Sequence, residues 1–229
     1  ALAATHERLT RHHQSQRATL LHCGHEAMAE VIPANLHGTI KACVLHASGI
    51  GESQVDEWIG DLEILANPTV GLLAHPGKID IRITAKAEST TEADQMIRKV
   101  ADIVNERLGH HIYGMDNDTL ESVTQRQLHD RQWSLAIIEC GLDGNISSRL
   151  QKAGARLVQA EIRPSAMCEH FDKDGLDAYR ISIGADVLLA LSFTPGAEKQ
   201  TLRMVLITPQ KTSEAERTYG GPPSHSPLW

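Results

Sequence analysis

Residues 38–62 read GTIKACVLHASGIGESQVDEWIGDL, and this stretch decides the fold of the first half of the chain. Its first ten residues alternate as in a strand with one apolar face, formed by Ile40, Ala42 and Val44. A glycine-rich loop follows, and beyond it apolar residues recur at helical spacing, namely Val55, Ile59, Leu62 and Leu65. We therefore expect a strand, a tight loop and an amphipathic helix in that order, with Ser53 as the N-cap of the helix.

The same kind of pattern continues up to residue 113. Asn67-Pro68 breaks the helix, and two strands then follow at 69–74 and 79–87, joined by a turn at Pro76-Gly77. A long helix is predicted at 90–108 with Gly109 as its C-cap, and a short strand at 111–113. The order β-α-β-β-α-β predicts a small α+β domain with its helices on one face of the sheet.

The second half alternates strands and helices. Its predicted helices are at 116–130, where Asp118 or Thr119 is the cap, and at 146–152. Its predicted strands are at 133–139, 155–161, within 181–191 and at 201–208, and the polar tail after Gln210 is expected to be a loop. The fold class is therefore α/β (α+β), with a three-layer α/β domain second. We expect three regions: 1–37 as linker helices or a domain remnant, 38–115, and 116–229.

Composition excludes several function classes. The chain has 229 residues, 41% of them hydrophobic, and a formal net charge of −7, which disfavours a general affinity for nucleic-acid phosphates. Neither a signal peptide nor a bilayer-length apolar run is visible, so a cytoplasmic protein without a membrane role is expected. The four cysteines, Cys23, Cys43, Cys140 and Cys168, follow no metal spacing and are expected to be reduced thiols. No cofactor and no metal are predicted; a soft-metal site at His22-Cys23-x-His25 lacks a second ligand pair.

Three motifs resemble the middle domain of the CinA (competence/damage-inducible) family. They are a Gly-x-Gly-Glu-Ser loop within 47–62, Asn-Pro-Thr-Val-Gly within 67–72, and the exit RLGHHIYGMDNDTL at 107–120, and the strand at 79–87 matches in the same order. The resemblance implies a KH-like domain whose loop carries Gly49, Gly51, Glu52 and Ser53. Upstream, residues 26–36 resemble the end of the molybdopterin-binding-like domain of the same family.

The second half is similar to the family's amidase domain, which releases ammonia from nicotinamide mononucleotide and resembles a Ser-Lys hydrolase. Residues 133–144, WSLAIIECGLDG, stand where the family has a strand ending in Glu-Ser-Cys-Thr-Gly-Gly, and residues 184–196 resemble its second core strand. The resemblance places Cys140 at the nucleophile position. It implies a substrate site at Glu139, Gly144, Ser192 and Gly196.

The catalytic base that this resemblance requires has no counterpart. The family's Tyr-Ser-Asn-Glu-Ala-Lys segment is missing from residues 150–179, and the nearest lysines, Lys152 and Lys173, lie outside any such motif. Asp143 beside Cys140 also opposes thiolate formation. Because a nucleophile without a base is weak, the sequence predicts a degenerate amidase domain. In that case Cys140 is a small buried residue at a strand end.

Three functions remain open at this point. The first is a CinA-like homodimer that binds a nucleotide or pyridine nucleotide, or acts as a scaffold, with little or no catalysis. The second is an active amidase that uses Cys140. The third is single-stranded nucleic-acid binding through the KH-like domain, which the acidic residues Glu52, Asp56 and Glu57 disfavour.

Overall fold

The computed structural model describes residues 38–164, 171–196 and 198–220. Within them the chain forms two β-sheets and five α-helices. The strands are β1 Thr39–Ser48, β2 Thr69–His75, β3 Lys78–Ala87, β4 Ile112–Met115, β5 Leu135–Cys140, β6 Leu157–Arg163, β7 Val187–Thr194, β8 Lys199–Ile207 and β9 Thr212–Gly220. The helices are α1 Glu52–Glu63, α2 Thr90–Leu108, α3 Leu120–Asp130, α4 Asn145–Lys152 and α5 Lys173–Ser182. The helices predicted near residues 1–11 and 25–31 lie outside the described residues.

The first sheet has the strand order β2-β3-β1-β4 and is antiparallel throughout. Helices α1 and α2 contribute Val55, Ile59 and Val104 to the core that covers one face of this sheet. The predicted β-α-β-β-α-β order is confirmed. The face of β1 that is buried is the opposite of the predicted one. Cys43, Leu45 and Ala47 face the core, whereas Ile40 is 69% exposed.

Local residues account for where these helices begin and end. Gly51, not Ser53, is the N-cap of α1, and its carbonyl accepts the backbone N–H groups of Gln54 and Val55, each at 3.1 Å. The Ser89 hydroxyl caps α2 by accepting the N–H of Glu92 at 3.2 Å. The helix ends where predicted, at Gly109, whose φ of 53° suits a residue without a Cβ.

The second sheet has the order β6-β5-β7-β8-β9. Strands β6, β5 and β7 are parallel, and β8 and β9 continue the sheet in antiparallel register. Leu128 of α3 and Leu150 of α4 pack with Leu135 on one face, whereas Leu176 of α5 packs with Ile138 on the other. The predicted three-layer arrangement of helix, sheet and helix is thus present.

Two predictions about the second sheet are wrong. Residues 181 and 182 end helix α5 and do not belong to a strand, which starts only at Val187. Residues 212–220, expected to be a loop, form β9 and pair with β8 in continuous register from Ile207↔Thr212 to Lys199↔Gly220. β9 is an edge strand whose backbone groups form hydrogen bonds with β8. Such a strand needs no run of apolar residues, so its sequence carries no pattern that would predict it.

No helix in the described part of the chain has the length and apolar character needed to cross a membrane.

Candidate functional site

The parallel strands of the second sheet end at one edge, where the predicted site residues meet. The chain leaves β5 through α4 toward β6 on one side, while β7 lies on the other side of β5. Cys140, the last residue of β5, is level with Arg163 on β6 and with Ser192 on β7. A switch of direction of this kind opens a crevice at the carboxyl ends of the strands, where α/β proteins bind ligands.

Glu139 lies at this edge but points into the protein. Its side chain is fully buried, and its two carboxylate oxygens accept the backbone N–H groups of Ile146 at 3.1 Å and Ser147 at 2.6 Å. Both donors lie in the first turn of α4, where the unpaired N–H groups and the helix dipole favour a negative charge. Glu139 therefore caps α4 from the neighbouring strand, and these two N–H groups are already used.

Cys140 is completely buried and is disulfide-bonded. Its sulfur in this state carries no proton to remove and is no thiolate nucleophile. The expectation of reduced thiols is therefore wrong at this position. Cys43, in contrast, is a free and buried thiol, whose pKa is raised to about 11 by burial and by the nearby carboxylate of Asp116.

The turn between Cys140 and α4 is tight. Gly141, Asp143 and Gly144 all have positive φ angles, of 73°, 54° and 74°. A Cβ on Gly144 would lie 2.6 Å from Cδ1 of Ile162, so β6 also packs closely there. This geometry explains why glycine stands at position 144 without any reference to a ligand.

Ser192 and Gly196 occupy the β7 side of the crevice. Ser192 is only 2% exposed. The loop after β7 is fixed by Gln200, whose side chain accepts the N–H of Gly196 at 3.0 Å and donates to its carbonyl at 3.2 Å. A Cβ on Gly196 would lie 2.3 Å from the backbone oxygen of Lys199, so only glycine fits. The substrate-binding role of Glu139, Gly144, Ser192 and Gly196 stays a prediction.

Neither Lys152 nor Lys173, the two lysines nearest to Cys140 in sequence, lies where a catalytic base for Cys140 would have to be. Lys152 is at the last turn of α4, whereas the first turn of this helix meets the end of β5. Lys173, at the start of α5, forms an ion pair with Glu214 on β9.

A polar cluster that was not predicted lies on β6 and α5, beside Cys140. Glu161 accepts hydrogen bonds from the hydroxyl of Tyr179 and from Nε of Arg163, the latter at 2.9 Å. The hydrogen bond from Tyr179 holds the pKa of Glu161 below its usual range, and burial together with Glu161 raises the pKa of Tyr179 to about 12. The alternation of Gln159, Glu161 and Arg163 along one strand face was the only sequence feature that could have indicated it.

Of the four residues predicted to form the glycine loop of the first domain, two lie in the loop and two in helix α1. Gly49 has a φ of 70° and Gly51 caps α1, but Glu52 and Ser53 already belong to the helix. Carboxylates continue along α1 at Asp56, Glu57, Asp61 and Glu63. Any ligand approaching this helix N-terminus meets an acidic surface.

A buried histidine, also missed, lies on the sheet of the first domain. His46 is 5% exposed, and its ring contacts Oδ1 of Asp80 at 2.7 Å and the carbonyl of Asp116 at 2.8 Å. The ring of Tyr113 stacks on it with centroids 5.7 Å apart. These partners satisfy both ring nitrogens, so His46 joins β1, β3 and the end of β4.

The first domain has the order β-α-β-β-α-β, with a glycine loop before its first helix, and a domain with a mixed five-stranded sheet follows it. The fold therefore places this chain in the class of proteins that join a KH-type module to an α/β domain. Residues 43–114 match the sequence model of the damage-inducible protein CinA KH domain. This match shows that residues 43–114, in the first domain, are similar to the CinA KH domain.

Curated proteins of the same family are also similar to part of this chain. The chain is 41% identical over 106 residues to a CinA-like protein of Prochlorococcus marinus strain MIT 9215, covering 46% of this chain and 25% of that protein. A CinA-like protein of Dictyoglomus thermophilum is 38% identical over 114 residues, or 49% and 28% of the two chains. A further one, of Prochlorococcus marinus strain NATL1A, is 36% identical over 128 residues, or 56% and 30%. The chain thus matches only about a quarter to a third of the length of these relatives.

Among solved structures, a formyltetrahydrofolate deformylase of Pseudomonas putida KT2440 aligns with 82% of this chain and 87% of its own. The sequence identity is 10% and the TM-score 0.22, which is too low to carry any inference.

Proposed function

We propose that this chain is a CinA-family protein whose second domain has lost most or all amidase activity and serves as a scaffold or nucleotide-binding domain, in a homodimer and in the cytoplasm. The observation that carries the proposal is the state of Cys140, which is fully buried and disulfide-bonded. A sulfur in a disulfide cannot attack an amide carbon, because only the thiolate is nucleophilic.

The hydrogen bonds of Glu139 support the same proposal. In acyl transfer the developing oxyanion needs backbone N–H donors that are free to receive it. At this edge the N–H groups of Ile146 and Ser147 are bonded to the carboxylate of Glu139. An oxyanion or phosphate could use these two donors only by displacing the buried side chain of Glu139.

The position of the lysines is a third, independent support. A Ser-Lys type mechanism needs an amine beside the nucleophile to remove its proton. Lys173 is paired with Glu214, and Lys152 is at the far end of α4 from the strand terminus. The proposed scaffold role therefore does not depend on the oxidation state of Cys140 alone.

Ammonia release from nicotinamide mononucleotide tests the proposal, measured on the purified full chain with and without dithiothreitol. We expect no release above the buffer rate in either redox state. The variant Cys140→Ala tests the nucleophile, and Cys43→Ala is its matched control because Cys43 is also a buried cysteine. Turnover that appears on reduction, disappears in Cys140→Ala and persists in Cys43→Ala would establish the active-amidase alternative.

Binding of the same nucleotide, measured by calorimetry, separates the two roles within the proposal. Saturable binding without turnover that is weakened by Ser192→Ala supports a nucleotide-binding domain. If nicotinamide mononucleotide does not bind, only the scaffold role remains.

A further inference from the structure

A pocket of about 600 Å³ lies on the second sheet, away from the edge that contains Cys140. It is bounded by α3 on one side and by β7, β8 and the turn into β9 on the other. Leu135 and Val187, which line it, are the first residues of β5 and β7, whereas Cys140 and Ser192 stand near the ends of these strands. The pocket and the predicted amidase site are therefore at opposite ends of the sheet.

The floor of this pocket is apolar. Its side chains come from five different elements, α3, α4, β5, β7 and β8, and include Leu128, Leu135, Leu150, Val187, Leu189 and Leu206. Leu135 and Val187 are each only 3% exposed, so the floor belongs to the folded core. A concave apolar surface of this volume, with a few polar groups at its rim, is the usual form of a small-molecule site.

The rim carries positive charge. Arg131, at the end of α3, and Lys211, in the turn between β8 and β9, both line the pocket. Among the described residues that line it none is acidic, although the chain as a whole has a net charge of −7. The acidic residue next to Arg131 in sequence, Asp130, is not part of the lining. The charge of the rim thus differs in sign from that of the whole chain.

The guanidinium of Arg131 and the backbone of Lys211 are held in place by hydrogen bonds. Nη1 of Arg131 donates to the backbone carbonyl of Gln127 at 3.1 Å and to the side-chain oxygen of the same residue. The guanidinium carbon lies 5.5 Å from the ring centroid of Trp133. At the opposite wall, the hydroxyl of Thr208 accepts the N–H of Lys211 at 3.1 Å and donates to its carbonyl at 3.0 Å, which fixes the turn.

We propose that this pocket binds an organic carboxylate with an apolar body of roughly ten carbons, a size suited to cavities of this class. The apolar body lies on the leucine and valine floor, where its transfer from water is favourable. The carboxylate lies at the rim, where the planar guanidinium of Arg131 matches its geometry and the ammonium of Lys211 adds a second positive charge. This site is independent of the proposed role of the Cys140 edge.

Decanoate, titrated into the full chain at low salt and below its micelle concentration, is the probe. We expect one saturable site by calorimetry, with decanoate bound at least tenfold more tightly than decanol, which has the same chain and no charge. The double variant Arg131→Gln/Lys211→Gln should bind decanoate at least tenfold more weakly than the wild type and bind decanol with unchanged affinity, because it removes only the charges at the rim.

Two further variants control for charge and for folding. Arg217→Gln removes one positive charge from β9 outside the pocket lining, and decanoate binding stays as in the wild type. Thr124→Trp places a large ring on an exposed lining position of α3 and abolishes binding of both ligands. The urea midpoint of each variant checks its fold, and Thr124→Trp tests the site even if the double variant unfolds. Three results would overturn the proposal. They are a lack of saturable decanoate binding, equal affinities for decanoate and decanol, and undiminished decanoate binding in a folded double variant.

Discussion

Glu139 and Ser147 join the end of a buried strand to the start of a helix, through a 2.6 Å hydrogen bond from the backbone N–H of Ser147 to a carboxylate oxygen. The other oxygen accepts the N–H of Ile146. Removing the carboxylate leaves two buried donors unpaired and opens space in the core. We predict that Glu139→Ala lowers the free energy of unfolding by about 2–4 kcal/mol and Glu139→Gln by about 1–2 kcal/mol.

Urea unfolding at neutral pH measures both changes. Glu106→Gln, an exposed glutamate on α2, is the control and should change stability by less than about 0.5 kcal/mol. If Glu139→Ala were as stable as the wild type, Glu139 would not be capping α4.

Asp186 makes stability depend on acid pH. The backbone N–H and the hydroxyl of Ser134 both donate to its carboxylate, at 2.8 and 2.7 Å, and hold its pKa below the ordinary value. Because the folded pKa is the lower one, the stabilisation is complete above the unfolded pKa of about 3.9 and is lost as the pH falls through the folded pKa. Asp186→Asn should therefore cost about 1–2 kcal/mol at pH 7, a figure that allows for partial exposure.

Urea unfolding of wild type and Asp186→Asn between pH 7 and pH 2.5 checks this. The difference between the two proteins should shrink below about pH 4. A difference that stays constant, or grows, at acid pH contradicts the assignment to Asp186.

Gly196 is required for steric reasons. A Cβ there would lie 2.3 Å from a backbone oxygen, that of Lys199, which cannot move aside like a side-chain end. We predict that Gly196→Ala destabilises the protein by about 1–3 kcal/mol. Gly71→Ala is the matched control, since a Cβ at this β2 position would meet nothing within 4 Å and should cost less than about 0.5 kcal/mol. Equal thermal midpoints for the two variants would show that the loop after β7 adapts.

The disulfide at Cys140 predicts a thiol count. The chain has four cysteines, so the unfolded but unreduced protein should show about two reactive thiols and the reduced protein four. A colorimetric thiol assay in guanidinium chloride measures both numbers. Reduction should also lower the thermal midpoint, because a cross-link restricts the unfolded chain. Four thiols before reduction would mean that Cys140 is not oxidised in the purified protein.

The acidic surface of α1 predicts that single-stranded nucleic acid does not bind at the glycine loop. Fluorescence anisotropy with a labelled oligonucleotide at about 50 mM salt should show no binding, because the carboxylates of Glu52, Asp56 and Glu57 repel phosphates. Glu52→Lys/Asp56→Lys, which reverses the charge beside the loop, should gain weak, salt-dependent binding. Binding by the wild type that weakens with salt would favour the nucleic-acid alternative.

Local sequence predicted most elements because their signals are local. The periodicity of α2 and its limits at Ser89 and Gly109 depend on neighbours within a few residues, and the structure has the helix at the predicted positions. The continuous apolar run of β5 likewise predicted a buried strand, whose six residues are all buried. β9 was missed, since an edge strand is held by backbone hydrogen bonds that side-chain patterns do not reveal.

The β-α-β-β-α-β order of the first domain and its similarity to the CinA KH domain could both be predicted from the sequence alone, because both depend on residues adjacent in the chain. Only the tertiary structure decided what each candidate side chain contacts. Glu139 meets the first turn of α4, Cys140 is in a disulfide, and Arg131 and Lys211, 80 positions apart, share one pocket rim. Such contacts join elements distant in sequence, and their free energy depends on packing and desolvation that no local pattern records.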